Sequence, residues 1–451
     1  MAFVIFVVHM SSMLIRGGVV VTMNDAFDIV QGDVSIRDGR IAAVGAGATS
    51  GPHDTIIDAH GGWVLPGFVQ THVHLCQTLF RGYADDLTLM DWVRTRIWPM
   101  EAAHTTSTLR AAARLGIAEL LASGTTTVLT METVHETDVV FEAAAEAGIR
   151  ATIGKCMMDA GDDVPARMRE KTNASIDESV ALGKRWHGAA QGRLRAAFAP
   201  RFAVSCSPAL LEAVASLSDA HQTLVHTHAS ESRDEIAIVR QLSGGVSNIE
   251  YLAGLRLASP RLCCAHCVWV DEREQGLLAE HGVNVLHCPS SNLKLGSGIA
   301  PVAAMRARGI NVSLGADGAA CNNHLDMFTE MRLAALLQSA TGRPGALTAR
   351  DTLVMATRAG ARTLGLDRDI GSIEPGKRAD LIVIDSEQPH LVPGPDPYST
   401  IVYAARATDV RATIVDGEAL VRDGRPVRTD AAAITAEARA AARELAARAG
   451  V

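Results

Sequence analysis

The sequence predicts an α/β protein that contains a (β/α)8 (TIM) barrel and a small β-sandwich built from both ends of the chain. Through the middle of the chain, apolar strand-like runs alternate with helix-like stretches, and polar residues follow the strand ends. Short strand-like runs broken by glycines occur at both termini. Alternating strands and helices are typical of a parallel sheet, and eight such units favour closure into a barrel. The alternative is a doubly wound open sheet, but no glycine-rich phosphate-binding fingerprint follows a strand.

Length and composition agree with one large domain and a smaller companion. The chain has 451 residues, of which 48% are hydrophobic, so a sizeable core is available. A formal net charge of −8 argues against a nucleic-acid-binding protein, which normally presents a basic face. Eight scattered cysteines do not form a disulfide framework, so we expect a reducing compartment, the cytoplasm.

The N-terminal run is apolar but lacks a basic flank, and it is too short to span a bilayer. We interpret residues 1–12 as an extension of little structural weight. No other run resembles a membrane helix, so no membrane partner is expected.

The predicted sandwich combines residues 13–65 with residues 370–430. The dipeptide Asp38-Gly39 indicates a tight hairpin, and a second Asp-Gly hairpin is expected within Val410–Gly424. Neither part encloses a core alone, so the two are expected to pack together. The tail, residues 431–451, is rich in Ala, Arg and Glu from Ala431 to Ala449, which predicts a surface helix.

The predicted barrel occupies the inserted residues 66–369. Its first strand begins slightly earlier, within the apolar run that follows residue 62. The predicted strands are Val64–His74, Thr125–Leu129, Ala151–Gly154, Leu194–Ala199, Thr223–His228, Arg261–His266, Val283–His287 and Asn311–Gly315. Helices between them are predicted at Thr108–Ser123, Asp138–Ala147, Ser207–Ala220, Glu272–His281 and Pro301–Arg308.

Histidines and one aspartate gather at the predicted strand ends. Strand 1 ends in His72 and His74, which point to the same face because side chains alternate along a strand. One His-x-His pair is weak evidence for a metal, but barrel chemistry lies at the C-terminal ends of the strands. There strands 5 to 8 add further polar residues, which together predict a metal site: His226, His228, His266, His287 and Asp317.

The ligand set predicted from these residues is three histidines and one aspartate: His72, His74, one strand-5 histidine and Asp317. Such a set leaves one position for water, as a catalytic metal requires, and imidazole suits zinc. His228 is preferred over the alternative, His226, because Glu231 follows it by three residues and can reach the water. No lysine occurs late in strand 4 to bridge a second ion, so one metal is expected.

With these motifs, the chain resembles the amidohydrolase superfamily, in its metal-dependent aminohydrolase branch (ATZ/TRZ-like), which deaminates purines and triazines. The resemblance extends from about residue 13 to 430 and implies the barrel-and-sandwich fold and one zinc per chain, with iron in some relatives. It implies ligands His72, His74, His228 and Asp317, with Glu231 as proton shuttle. It also implies that His266 polarises the water or the developing oxyanion of the substrate, and that Asp317 or His266 takes the proton of the water. The matching segments are Pro66–His74, His226–Glu231, Ala265–Cys267, His287–Asn292 and Gly315–Asn323.

The rival interpretation is a non-enzymatic barrel used as a scaffold. A scaffold has no physical reason to keep the complete polar set, because buried unpaired polar groups cost stability. The sequence therefore favours an enzyme, of the EC 3.5.4 type, which hydrolyses C–N bonds of cyclic amidines. The set consists of His72, His74, His228, Glu231, His266 and Asp317.

Substrate features are divided between two groups of relatives. The segments Leu79–Leu87, Ile97–Glu101 and Ser290–Pro301 resemble deaminases of S-adenosylhomocysteine, 5′-methylthioadenosine and 5′-deoxyadenosine. That resemblance implies that Glu101 grips ribose hydroxyls and that Arg167 holds an amino-acid carboxylate. By contrast, Arg201 lies in a segment similar to guanine deaminase, where it would contact a purine carbonyl.

We therefore predict deamination of an adenine nucleoside at C6 by water activated at the metal. Guanine or oxidised-guanine deamination and s-triazine amino- or chlorohydrolysis are the alternatives. Arg201 is also a candidate for the ribose or 5′ side of the pocket, or for an ion pair with Glu231 or Asp159. The expected partner is a small molecule, and a homo-oligomer, dimer or tetramer, is anticipated.

Overall fold

The computed structural model of the chain describes residues 12–48 and 51–451. The first strand begins at Ser12, so this residue belongs to the terminal sheet and not to the predicted extension. Its backbone N–H and hydroxyl both donate to Asp54 Oδ2, at 2.9 and 3.0 Å. Residues 1–11 of that predicted extension lie outside the described residues.

Strands alternate with helices through most of the chain. In chain order the strands are β1 (Ser12–Val21), β2 (Ile29–Arg37), β3 (Arg40–Gly45), β4 (Thr55–Asp58), β5 (Trp63–Pro66), β6 (Phe68–His74), β7 (Thr125–Met131), β8 (Arg150–Met157), β9 (Leu194–Pro200), β10 (Val225–Ala229), β11 (Leu262–His266), β12 (Asn284–His287), β13 (Val312–Leu314), β14 (Asp317–Gly318), β15 (Leu381–Ile384), β16 (Val410–Val415), β17 (Glu418–Arg422) and β18 (Arg425–Pro426). The α-helices are α1 (Leu89–Trp92), α2 (Trp98–Ala103), α3 (Thr106–Ala122), α4 (Asp138–Ala147), α5 (Thr172–Trp186), α6 (Ala189–Gly192), α7 (Pro208–His221), α8 (Arg233–Leu242), α9 (Asn248–Gly254), α10 (Glu272–Glu280), α11 (Pro289–Lys294), α12 (Val302–Ala307), α13 (Met327–Thr341), α14 (Ala349–Ala356), α15 (Arg358–Thr363), α16 (Pro397–Tyr403) and α17 (Ala431–Ala449).

Strands from both termini form one sheet, which confirms that the two ends of the chain build one unit. Its order is β18-β17-β16-β15-β5-β1-β2-β3, and β4 also pairs with β1. Strand β15 pairs antiparallel with both β5 and β16, so the C-terminal strands are hydrogen-bonded directly to the N-terminal ones. The sheet encloses its own apolar cluster, to which both ends of the chain contribute, for example Ile15, Val34, Val383 and Ile414.

Asp-Gly dipeptides form tight hairpins in this sheet. Asp38 and Gly39, between β2 and β3, have φ values of 50° and 74°. Asp416 and Gly417, between β16 and β17, have φ values of 49° and 75°. Two successive residues with positive φ are typical of a type I′ turn, whose twist matches that of the flanking strands. Both predicted hairpins are therefore confirmed.

The second sheet is the barrel, and all of its neighbouring strands are parallel. Its order runs β13-β12-β11-β10-β9-β8-β7-β6-β14. Because β14 follows β13 after two residues and pairs with β6, the sheet closes on itself. The strands are buried along nearly their whole length, and β7 is buried throughout, which explains their continuous apolar or threonine-rich runs. Each of the eight predicted barrel strands is present.

The predicted first strand, Val64–His74, is two strands in the structure. Its first part is β5 of the terminal sheet, and its second part is β6 of the barrel. The chain changes sheets at Gly67, where a Cβ atom would lie 2.2 Å from the Thr126 side chain. The apolar run continues through this point, so hydrophobicity alone did not reveal the break.

The predicted C-terminal helix is α17, with the predicted bounds. Asp430 caps its N-terminus by accepting from the backbone N–H groups of residues 432 and 433, at 2.8 and 3.2 Å. Its buried face includes Ile434 and Leu445, and Glu437 pairs with Arg114 of α3 at 2.8 Å. Among the helices in residues 12–48 and 51–451, none has the length and apolar character needed to cross a membrane.

Candidate metal centre and active site

Four side chains converge at the C-terminal end of the barrel. His72 and His74 come from β6, His228 from β10 and Asp317 from β14. All are buried or nearly so, and one donor atom from each lies within 4.8 Å of the others. This group is the ligand set expected from the sequence.

Backbone carbonyls bond the Nδ1 atoms of two of these histidines and so fix the orientation of their rings. His74 Nδ1 lies 2.7 Å from Met131 O, and His228 Nδ1 lies 2.7 Å from Arg201 O. A carbonyl only accepts, so both Nδ1 atoms are protonated and both Nε2 atoms carry lone pairs. These two Nε2 atoms lie 3.2 Å apart. Two lone pairs at that distance repel each other unless a cation lies between them, so the arrangement fits a metal ion.

His72 and Asp317 complete the group. His72 Nε2 is buried without a hydrogen bond and lies 3.3 Å from Asp317 Oδ1, and His74 Nε2 lies 3.2 Å from the same oxygen. The other carboxylate oxygen of Asp317 accepts from Ser291 Oγ at 2.6 Å. Three imidazole nitrogens and one carboxylate oxygen suit zinc or another borderline divalent metal.

His226, the alternative strand-5 ligand, lies behind the site. Its Nε2 atom is 2.6 Å from His72 Nδ1, on the side of His72 that faces away from Asp317. It therefore orients His72, as outer-shell partners of metal ligands commonly do. The structure brings His228 and not His226 into the ligand group.

Glu231 and His266 lie next to this group. Glu231 Oε2 is 3.5 Å from His266 Nε2, and His266 Nδ1 is 2.8 Å from Asn292 Oδ1. Burial raises the pKa of Glu231 well above its usual range, and the charges of Asp317 and Glu235 act in the same direction. This direction favours the protonated form of the carboxyl group and suits Glu231 to proton transfer. Burial lowers the pKa of His266, although Asp317 opposes this, and the lowered pKa favours the neutral imidazole.

Glu101 and Arg201, which we had assigned to competing substrates, form one ion pair. Arg201 Nη1 and Nη2 donate to the two Glu101 oxygens at 2.6 and 3.1 Å, and Gln77 Nε2 adds a third hydrogen bond at 3.0 Å. The Arg201 and Glu101 side chains are only 6% and 0% exposed. The partner of Arg201 is thus neither Glu231 nor Asp159, and Asp159 is already bonded to other groups.

Arg167 lies away from the metal group. It is exposed, and its guanidinium donates to the backbone carbonyl of His104 at 3.0 Å. It does not line the cavity at the metal group. Contact between Arg167 and a substrate carboxylate stays a prediction.

The cavity above the metal group is small, about 30 Å³. That is room for roughly one water molecule. Its outer wall is formed by Leu89, Trp92 and Val93, where a π-helical turn, Val93–Ile97, joins α1 to α2. The Trp92 Nε1 atom is buried there without a hydrogen-bond partner.

This wall and the residues that support the site are not marked by any sequence motif that predicts a role for them. Gln77, Ser291 and Asn292 each bond a predicted site residue, and Glu235 bonds the backbone of Glu231. Ser291 and Asn292 lie inside the matched segment around His287, so their position beside the ligands was a usable indication. Gln77 follows His74 by three residues, and this spacing is a weaker indication of a role at the site.

The fold and this site define a class: a (β/α)8-barrel metallohydrolase whose centre holds a single divalent ion. Within that class, the chain belongs to the amidohydrolase family, whose model matches residues 63–420.

Similar proteins include two curated deaminases. The chain is 44% identical to a 5′-deoxyadenosine deaminase of Methanothermobacter thermautotrophicus over 93% of this chain and 96% of that protein. It is 42% identical to a 5-methylthioadenosine/S-adenosylhomocysteine deaminase of Symbiobacterium thermophilum over 90% and 93% of the two chains. The crystal structure of an adenosine deaminase from Xanthomonas campestris with bound zinc superposes with a TM-score of 0.91, at 33% identity, covering 97% of this chain and 99% of that one.

Proposed function

We propose that this chain is a hydrolytic deaminase that replaces the 6-amino group of an adenine nucleoside with oxygen and releases ammonia. The substrate is of the 5′-deoxyadenosine, 5′-methylthioadenosine or S-adenosylhomocysteine type. The observation that supports this most is the presence of the metal group, Glu231 and His266 around one buried cavity. The names of the curated relatives support the nucleoside as substrate.

The residues that would hold the metal are His72, His74, His228 and Asp317. Zinc suits their three nitrogens and one oxygen, and iron is the alternative. When bound, a divalent ion supplies Lewis-acid activation of water at neutral pH.

Glu231 and its neighbours move the protons of the reaction. Water adds to C6 of the purine, and its proton passes to Asp317 Oδ2 or His266 Nε2, which lie 3.9 Å apart. Glu231, whose pKa is raised by burial, donates a proton to the ring nitrogen beside C6. The Glu231 carboxylate then takes the proton of the new C6 hydroxyl group and passes it to the amine, so that the C6–N bond breaks, ammonia leaves and C6 becomes a carbonyl. The proton taken from water returns to Glu231 from His266, whose Nε2 lies 3.5 Å from Glu231 Oε2. The products are a C6 carbonyl and ammonia.

Recognition of the nucleoside is assigned to the ion pair between Glu101 and Arg201. Arg201 lines the cavity beside His228, and Gln77, which bonds Glu101, lines it as well. The guanine alternative requires Arg201 to donate to a purine carbonyl. One N–H of each terminal nitrogen of Arg201 donates to Glu101, which holds the guanidinium in place. The preference for the nucleoside is supported by the segments around Glu101 and Asn292 and by the names of the curated relatives.

The decisive experiment is an assay of ammonia release by purified protein carrying one metal per chain. The substrates are adenosine, 5′-deoxyadenosine, 5′-methylthioadenosine, S-adenosylhomocysteine, guanine and 8-oxoguanine, and Glu231→Gln, with its strongly reduced kcat, is the control. We expect the highest kcat/KM for one of the adenine nucleosides. A guanine kcat/KM well above that of every nucleoside would overturn the proposal.

Two further expectations belong to this proposal. The eight cysteines are free and buried, which supports a reducing compartment, and we place the enzyme in the cytoplasm. We also expect a homo-oligomer, which light scattering of the purified protein would measure.

A further inference from the structure

Glu235 is a buried carboxylate that the mechanism above does not use. It lies in the first turn of α8 and is 0% exposed. Its Oε2 atom accepts from the backbone N–H of Glu231 at 2.6 Å, and its Oε1 atom accepts from Asn248 Nδ2 at 2.6 Å. Burying a carboxylate is costly unless its hydrogen bonds compensate, so these two contacts need an explanation.

Helix capping explains only part of this arrangement. Ser232 caps α8 by accepting from Glu235 N at 3.2 Å. In a capping box, a glutamate at this position bonds back to the backbone N–H of the cap residue itself. Here the carboxylate reaches one residue further, to the N–H of Glu231. The bond therefore fixes the acid/base residue and not the helix end.

The peptide group that precedes Glu231 is held on both sides. Its N–H is bonded by Glu235, and its carbonyl, that of Ser230, accepts from the backbone N–H groups of Val268 and Trp269 at 2.9 and 3.0 Å. Ser230 has a φ of 54°, a conformation that non-glycine residues rarely adopt. Such a residue persists only when its surroundings determine it, and strained residues of this kind cluster at functional sites.

We propose that Glu235 is a positioning residue that holds Glu231 over the metal group. The proposal rests on the proposed function, since it assigns Glu235 a role through the acid/base residue. Glu235 supplies the acceptor that sets the orientation of the Glu231 backbone. Asn248 in turn fixes the Glu235 carboxylate.

The structure offers a matched pair of variants. In Glu235→Gln the amide oxygen still accepts from Glu231 N–H, and the amide nitrogen donates to Asn248 Oδ1 once the Asn248 amide group turns over; that oxygen has no partner in the wild type. In Glu235→Ala both bonds are lost. Steady-state kinetics with the best wild-type substrate should show kcat of Glu235→Ala reduced by roughly 10- to 100-fold, as expected for a displaced catalytic group. KM and the metal content should change little, and Glu235→Gln should stay near the wild type.

Measurements in the Glu231→Gln variant distinguish a positioning role of Glu235 from general damage to the fold. In Glu231→Gln protein, Glu235→Ala should reduce kcat only slightly further, because residues that act as a unit are not additive. If Glu235→Ala does not fold, Glu235→Asp replaces it, since shortening the side chain by one methylene breaks the contact with Glu231 but keeps the charge.

Three results would overturn the proposal: an unchanged kcat in Glu235→Ala or Glu235→Asp, an equal loss in Glu235→Gln, or a full additional loss in the Glu231→Gln background. These results differ from failure of the proposed function, in which the wild type itself would release no ammonia from any adenine nucleoside.

Discussion

The buried ion pair between Glu101 and Arg201 predicts that replacing both residues destabilises the protein less than replacing either one alone. We consider Glu101→Leu, Arg201→Met and the double variant. Each single variant leaves one charged or polar partner buried and uncompensated, whereas the double variant removes both charges.

The magnitudes follow from the burial and the hydrogen bonds of the pair. Removing one partner of a buried, bidentate ion pair costs about 3–5 kcal/mol of stability, while replacing both with apolar residues is often neutral or stabilising. Glu101→Leu also leaves the Gln77 amide without its acceptor, which adds roughly 1–3 kcal/mol. The double variant should therefore unfold at a higher urea concentration than either single variant.

The same variants should change substrate preference. A site that hydrogen-bonds a group discriminates strongly against analogues that lack it. If the pair acts as one unit on the ribose, both single variants should lose most of the preference for adenosine over free adenine, measured as the ratio of the two kcat/KM values. An unchanged preference in both variants would show that the pair is only structural. A double variant destabilised by the sum of the two single effects would refute the argument from burial.

Arg150 provides the control. It donates to Asp380 at 2.8 and 3.0 Å and to Asp416 at 2.7 Å, and the Arg150 and Asp380 side chains are 3% and 1% exposed. This pair connects the barrel to the terminal sheet, away from the metal group. Arg150→Met should therefore lower the urea midpoint as the other single variants do, while the preference for adenosine over adenine stays at the wild-type value.

The remaining predictions concern the metal, the acid/base residue, the terminal sheet and the cavity wall. Purified protein should contain about one zinc or iron per chain and lose activity with a chelator; full activity in protein shown to be metal-free would contradict this. Glu231→Gln should keep its metal and lower kcat by roughly a hundredfold or more, and loss of metal would mean that Glu231 is a ligand. Deletion of residues 370–451 removes strands β15 to β18, leaves β5 without its partner β15 and should give insoluble protein, unless the two ends fold independently. Because the cavity of about 30 Å³ cannot contain a nucleoside, binding of the deaminated product should change hydrogen exchange in residues 89–97, and unchanged exchange at saturation would show that entry occurs elsewhere.

The sequence predicted the barrel well because its strands are buried on both faces. Segments such as Thr125–Met131 are apolar or threonine-rich throughout, and each is bounded by helical stretches, so their number and order were apparent. The predicted strand Val64–His74 was wrong in that it joined two strands of different sheets, and the cause is clear. Hydrophobicity indicates that a strand is buried but not which sheet it joins, and only the Pro66-Gly67 dipeptide marks the change.

The metal ligands were predictable because their positions follow from local rules. Alternation along a strand places His72 and His74 on one face, and strand ends meet at one edge of a barrel. The choice between His226 and His228 depended on distant residues. His228 is fixed by the carbonyl of Arg201, whereas His226 is bonded to His72. Spacing alone could favour one histidine but could not show these contacts.

The pairing of Glu101 with Arg201 could not be predicted from either segment. The two residues are a hundred positions apart, and each matched a different group of relatives. A resemblance assigns a role to one residue at a time, but a carboxylate and a guanidinium that meet in a buried pocket neutralise each other. Their roles then depend on the pair, which only the tertiary structure shows.

Closure of the barrel and assembly of the metal group depend on the same few residues. Strand β14 pairs with β6, placing Asp317 opposite Val73 and beside His72 and His74. This approach requires Gly315, because a Cβ atom there would lie 2.6 Å from the carbonyl oxygen of His72. Asp317 itself has a φ of 63°, so its conformation is strained and must be imposed by the surrounding structure. The ligands from β6 and β14 thus lie on the two strands that close the sheet, and His228 lies across the barrel from them. An ion bound to all four would connect the first and last strands of the barrel, so metal binding and the stability of this closure should be thermodynamically linked.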